Sequence, residues 1–254
     1  MRRRVYPLAA AALLALAAGA VAQEEALPPL PHPAWSFDGV FGTFDRAALQ
    51  RGFQVYNEVC SNCHSMNLLH YRDLAAHGYN EGQIKAIASQ KEVTDGPNDK
   101  GEMFQRPARP ADAFVAPYPN EQAARAAHNG ALPPDLSLIV KARAGGPDYV
   151  DGILTGYKDA PANFKLGDGM NYDVYFPGHQ IAMPQPLADN SVTFADGTAA
   201  TLPDEAHDVV TFLAWAAEPT MEERKRTGAK VLLFLLAMTG VLYGAKRKIW
   251  SDLH

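Results

Sequence analysis

The chain has 254 residues, 47 % of them hydrophobic, and its 23 Lys and Arg against 28 Asp and Glu leave a formal charge of −5. That balance gives no basic footprint for a nucleic acid. Two cysteines are too few for a disulfide framework or a four-thiolate zinc site.

The first element is a leader. Met1-Arg2-Arg3-Arg4 is a charged start, Val5 to Gly19 is rich in Ala and Leu, and Ala20-Val21-Ala22 supplies small residues before Gln23. This is the pattern of a cleaved signal peptide over residues 1–22, so the chain beyond Ala22 is expected outside the cytoplasm. Residues 23–218 hold 13 Lys and Arg against 25 Asp and Glu, a net −12. Such a field favours a basic, diffusible partner, and it also serves ordinary solubility. Nineteen prolines and twenty glycines point to long irregular connections, and no alternation is regular enough to build a sheet.

Asp45 is placed to cap a helix through Val59, on which Leu49, Phe53, Tyr56 and Cys60 share one face. That face ends on Cys60-Ser61-Asn62-Cys63-His64, a C-x-x-C-H pentad of the kind that attaches one covalent haem c. Two thiols can add to the two porphyrin vinyls, and His64 follows as the proximal iron ligand. A zinc site would need more ligands of this kind, and a thioredoxin-like dithiol would need an early βαβ unit that is missing.

Further helices are expected over 81–90, from Asn120 to His128, from Pro147 through Tyr157, and from the Thr201 cap to about Ala217. Residues 91–118 and 158–200 read as loop, longer than a minimal haem carrier needs. Six-coordinate iron wants a donor on the far face of the ring. Met66 lies too near His64 and Met221 at the membrane approach. Met183 sits in Pro177-Gly178-His179-Gln180-Ile181-Ala182-Met183-Pro184-Gln185-Pro186, a loop stiffened by three prolines. On the residues alone it leads, with His179, His128 and His207 as imidazole alternatives.

Near the C-terminus, residues 228–245 are apolar apart from Lys230 and are bracketed by Arg224-Lys225-Arg226 and Lys246-Arg247-Lys248. This predicts a single transmembrane anchor helix in the lipid bilayer. The expected layout is a signal peptide (1–22), a mainly α, cytochrome c-like haem domain with a membrane-proximal linker (23–227), the anchor (228–245) and a tail (246–254). The signal then puts the haem domain in the periplasm of a bacterial inner membrane and the C-terminus in the cytoplasm.

Several long runs go beyond a generic c-type protein. They are Arg51 through Met66, Asp95-Gly96-Pro97-Asn98 with Gly101-Glu102-Met103-Phe104, Asn129 through Ser137, Lys141-Ala142-Arg143 with Gly145-Gly146, Leu154-Thr155-Gly156-Tyr157, Tyr175-Phe176-Pro177-Gly178, and Trp215 through Pro219. Together they closely resemble the cytochrome c1 family, over nearly the whole mature chain. The resemblance implies the haem subunit of a quinol–cytochrome c reductase, a proton-translocating oxidoreductase of the respiratory chain in which this chain breaks no bonds. It implies one covalent haem c on Cys60 and Cys63, with His64 and Met183 as iron ligands and Arg143 on a propionate. Tyr149 and Asn129 fall near the propionates by the same likeness. Implied partners are a cytochrome b subunit, a Rieske iron–sulfur protein as donor and a cytochrome c as acceptor, in a dimeric complex. One departure is His128-Asn129-Gly130 where relatives often read Asn-Asn-Gly. An anchored c-type shuttle outside any such complex, or a haem ligand binder with an open iron site, are the competing functions.

Overall fold

The computed structural model describes residues 27–253; the expected signal peptide lies outside them. Helix α1 (Arg46–Glu58) starts where expected because the Asp45 carboxylate accepts hydrogen bonds from the Ala47 and Ala48 amides at 2.8 and 3.3 Å. Helix α2 (Glu81–Ala88) opens on a reciprocal cap in which Asn80 and Gln83 each accept the other's amide, at 3.0 and 2.9 Å. Helices α3 (Glu121–Ala127), α4 (Gly146–Thr155) and α5 (Leu202–Ala217) match the predicted spans to within two residues at either end, and Thr201 caps the last. The fold is mainly α, as expected.

The core lies where α1 crosses α5. Leu49, Val55, Val209 and Phe212 are fully buried there, and each side chain contributes about 1.5–3 kcal/mol by leaving water. The crossing is tight at one point. A Cβ on Gly52 would stand 2.0 Å from the Asp208 carbonyl oxygen and 2.9 Å from the Phe212 Cβ, so only glycine lets the backbones meet. Beside it Arg51 donates to both Asp208 carboxylate oxygens, at 2.5 and 3.2 Å.

Three features depart from the sequence reading. The stretches expected as loop carry two small antiparallel hairpins, β1 (Glu92–Asp95) with β2 (Phe104–Pro107), and β3 (Asn171–Tyr172) with β4 (Gln180–Ile181). They are too short for alternation to register. The first is fastened by Arg106, which ion-pairs with Asp95 and with Asp112. A turn of 3₁₀ helix, Tyr71–His77, was also not foreseen.

The third departure is the linker, which is helical. Helix α6 runs unbroken from Met221 to Ile249, 29 residues, or about 44 Å at 1.5 Å per residue. Its 18-residue apolar window has a mean hydropathy of 1.7 and none of it is buried in the protein. Its first turns belong to the domain instead: Met221 is buried, Glu222 accepts from the Phe44 amide at 2.8 Å and pairs with Arg46 at 2.7 Å.

Candidate haem-attachment site

Helix α1 delivers the motif. After the Val59 cap the chain tightens into one 3₁₀ turn, Cys60–Asn62, closed by Cys63 N–H to the Cys60 carbonyl at 3.1 Å and His64 N–H to the same carbonyl at 2.9 Å. Residues three apart eclipse in a 3₁₀ turn, so Cys60 and Cys63 stand side by side, which is what two vinyls of one ring require. The intervening residues finish the helix. Ser61 donates to the Asn57 carbonyl at 2.7 Å, and Asn62 to the Glu58 and Val59 carbonyls at 2.9 and 3.1 Å.

The two thiols differ in setting. Cys60 packs against the core and burial pushes its thiol up to about 12, the opposite of the lowered value a reactive dithiol needs. Cys63 borders an open cleft of 330 Å³ shared with Tyr118, Leu132, Pro133 and Pro134.

His64 is aimed by a backbone atom. Its Nδ1 lies 2.8 Å from the Pro134 carbonyl oxygen. A carbonyl only accepts, so Nδ1 carries the proton and the Nε2 lone pair is left for a metal. Burial pushes the imidazole below its ordinary value, against the pull of that hydrogen bond, and so favours the neutral ligand form. The Pro134 segment is in turn clamped. Leu136 N–H reaches the Ser65 carbonyl at 2.9 Å, and the Asp135 carboxylate accepts from Ser65 Oγ and the Asn67 amide at 2.8 and 2.9 Å. Burial would raise the Asp135 carboxyl, but hydrogen bonds from Ser137, Asn67 and Ser65 outweigh it and hold it low. The donor set therefore fits a covalently held, axially ligated haem.

Met183 leaves the β3–β4 hairpin half-buried. Its carbonyl accepts from Tyr157 Oη at 3.0 Å and Asn171 Nδ2 at 3.3 Å, so two side chains fix the backbone that carries the thioether. The imidazole alternatives each have a contact of their own. His179 Nδ1 lies 3.2 Å from the Asp173 carbonyl, His128 Nε2 lies 3.0 Å from Tyr118 Oη, and His207 stacks on Trp35 with ring centroids 4.8 Å apart. Met66 is fully buried in the core.

Arg143 is exposed and donates to its neighbour's carbonyl, Ala142, at 3.1 Å. Tyr149 lies near it on α4: burial pushes the phenol up, and the Arg143 charge opposes the shift. Asn129 holds a left-handed conformation (φ 51°) beyond α3, beside Gly169. Met183 and Asn129 share no hydrogen bond with each other or with the C-x-x-C-H turn. The sequence reading missed the positioning roles of Pro134, Asp135, Tyr157 and Asn171. The Pro-Pro-Asp-x-Ser run, with an Asp two residues before a Ser, was the one local signal available for the first pair.

Comparison with known proteins finds likeness along most of the chain. The model of the Cytochrome C1 family matches residues 35–253. The chain is 45 % identical over 261 residues to a cytochrome c1 of Rhodospirillum rubrum, covering 96 % of both chains. It is 51 % identical over 224 residues to a mitochondrial cytochrome c1 heme protein of Arabidopsis thaliana, covering 88 % of this chain and 73 % of that one. A cytochrome b/c1 protein of Bradyrhizobium diazoefficiens is 49 % identical over 246 residues; the match takes in 88 % of this chain and only 36 % of that longer protein.

Proposed function

Because this chain belongs to the cytochrome c1 family and carries a covalently bound haem c, we propose that it is the electron-output subunit of a quinol–cytochrome c reductase. It receives electrons from a Rieske iron–sulfur protein and hands them to a cytochrome c. A cytochrome b subunit is the membrane partner, within a dimeric complex. Once bound, the haem supplies a one-electron centre that changes charge without breaking bonds.

Everything else in the site is positioning. Cys60 and Cys63 would hold the ring, and His64 would offer Nε2 to the iron. Met183 would supply the sixth ligand, a thioether that raises the potential relative to a second imidazole and closes the iron to small ligands. Arg143, whose guanidinium fork suits a carboxylate, would hold a propionate, with Tyr149 and Asn129 beside it. The single observation that supports this reading is the hydrogen bond from His64 Nδ1 to the Pro134 carbonyl, which leaves Nε2 available as a ligand directly after the two thiols. The acidic domain sits in the periplasm, the side to which a signal peptide would deliver it, and α6 anchors it to the membrane.

The test is a reduced-minus-oxidised spectrum of the complex purified through this chain. The expected result is c-type and b-type haem bands together. A c-type band alone, in a preparation that still oxidises no quinol, would make the chain a free-standing anchored shuttle.

A further inference from the structure

The loop between Trp35 and Phe44 is ordered and divides its apolar residues between two faces. Phe37 and Phe44 turn inward, 8 % and 5 % exposed, their tilted rings 5.1 Å apart. Val40 and Phe41, at the tip, are 69 % and 87 % exposed. The turn is not a floppy one. Asp38 N–H donates to the Trp35 carbonyl at 3.1 Å and Thr43 N–H to the Ser36 carbonyl at 3.0 Å. Gly39 takes a positive φ of 69°, and a Cβ on Gly42 would fall 1.9 Å from the Asp38 carbonyl oxygen. Fixing two large apolar side chains in water is unfavourable unless something covers them.

Helix α6 gives the direction in which the tip projects. Glu222 holds the Phe44 amide. One turn further along the helix, Lys225 Nζ donates to the Phe37 and Gly42 carbonyls at 2.7 and 3.1 Å, gripping both legs of the loop at its neck. The loop therefore descends along α6 from Glu222 to Lys225, and residues 38–41 lie beyond that neck. Gly228, where the apolar run begins, is three residues on, about 4.5 Å at the helical rise.

The geometry points to Val40 and Phe41 as a second membrane contact, seated in the headgroup and upper acyl region beside the anchor helix. The occupant is lipid. The loop that carries the patch is held against α6 at Glu222 and Lys225, about one turn before the apolar run, and Arg226 and Lys230 flank that level with charges suited to phosphate headgroups. Exposed Asp38 in the same turn keeps the tip in the interface and out of the hydrocarbon centre.

A nitroxide on a single introduced cysteine tests this in the full holoprotein reconstituted into vesicles, since haem occupies both native thiols. Phe41→Cys is compared with Met103→Cys, on a loop remote from α6, and with Leu236→Cys, inside the span; an unchanged haem spectrum certifies each variant. Accessibility to oxygen relative to a water-soluble nickel chelate is expected to be several-fold higher at position 41 than at 103, approaching the value at 236. Val40→Cys, a second label in the same tip, should agree. A ratio at both tip positions equal to that at 103 would overturn the proposal. Exclusion of both reagents would overturn it as well, because the tip would then be covered by protein.

Discussion

His64 is oriented by a carbonyl, which no side-chain substitution can remove, so the axial pair is best probed from the other side. Met183→Leu keeps the packing volume and removes the thioether. The expected outcome is retained haem, a lower midpoint potential and new carbon monoxide binding to the reduced protein. An unchanged potential on redox titration would assign the sixth position to another residue. Elsewhere, His77 is fully buried, edge-on to Trp215 at 4.0 Å, with neither ring nitrogen hydrogen-bonded within the protein. Burial, aided by the Arg46 charge, pushes its imidazole down to about 3. The unfolded chain then binds a proton below about pH 6.5 that the folded chain refuses down to about 3. Titration of His77 therefore takes almost nothing from stability at neutral pH and removes about 1.4 kcal/mol per pH unit as pH falls through that window. Guanidinium midpoints followed by tryptophan fluorescence at pH 7 and pH 5 should show a shallower acid loss in His77→Phe than in the parent.

Among the elements, the crossing of α1 and α5 decides whether the C-x-x-C-H turn is presented correctly, and Gly52 decides the crossing. Gly52→Ala would raise helix propensity in α1, yet its methyl would meet the Asp208 carbonyl and Phe212. Overpacking of this kind costs about 1–3 kcal/mol and should dominate. A higher unfolding midpoint in that variant would mean the helices separate freely. The crossing also explains what was readable from the sequence. Helices α1, α2, α3 and α5 advertise themselves through their caps, Asp45, Asn80, Asn120 and Thr201, because a cap is a local pairing within three residues, and α4 through Pro147 in its first turn. The clamp on Met183 was not readable, because Tyr157 and Asn171 come within reach of its carbonyl only through the β3–β4 pairing. Pro134 reaches His64 across 70 residues for the same reason. Asp173 is buried completely, so it takes no part in any acidic docking surface.

For the whole molecule, the domain's contacts reach into α6 as far as Lys225, just short of the apolar run that begins at Gly228. A cut after Glu218 discards buried Met221 and the Glu222 contacts with Phe44 and Arg46, whereas a cut after Arg226 keeps them. Both fragments should be soluble and haem-bearing. The longer is expected to be more stable by about 3 kcal/mol, from one buried side chain and one buried hydrogen bond, as read from guanidinium midpoints. The same junction has a mechanical consequence. A helix continuous across the membrane surface, footed in the domain by Glu222 and Lys225, acts as a strut with no swivel. The haem domain then keeps one height and one bearing above the bilayer, and an electron carrier approaching it meets a fixed landing place. On the proposed function, any travel needed between donor and acceptor is made by the partners.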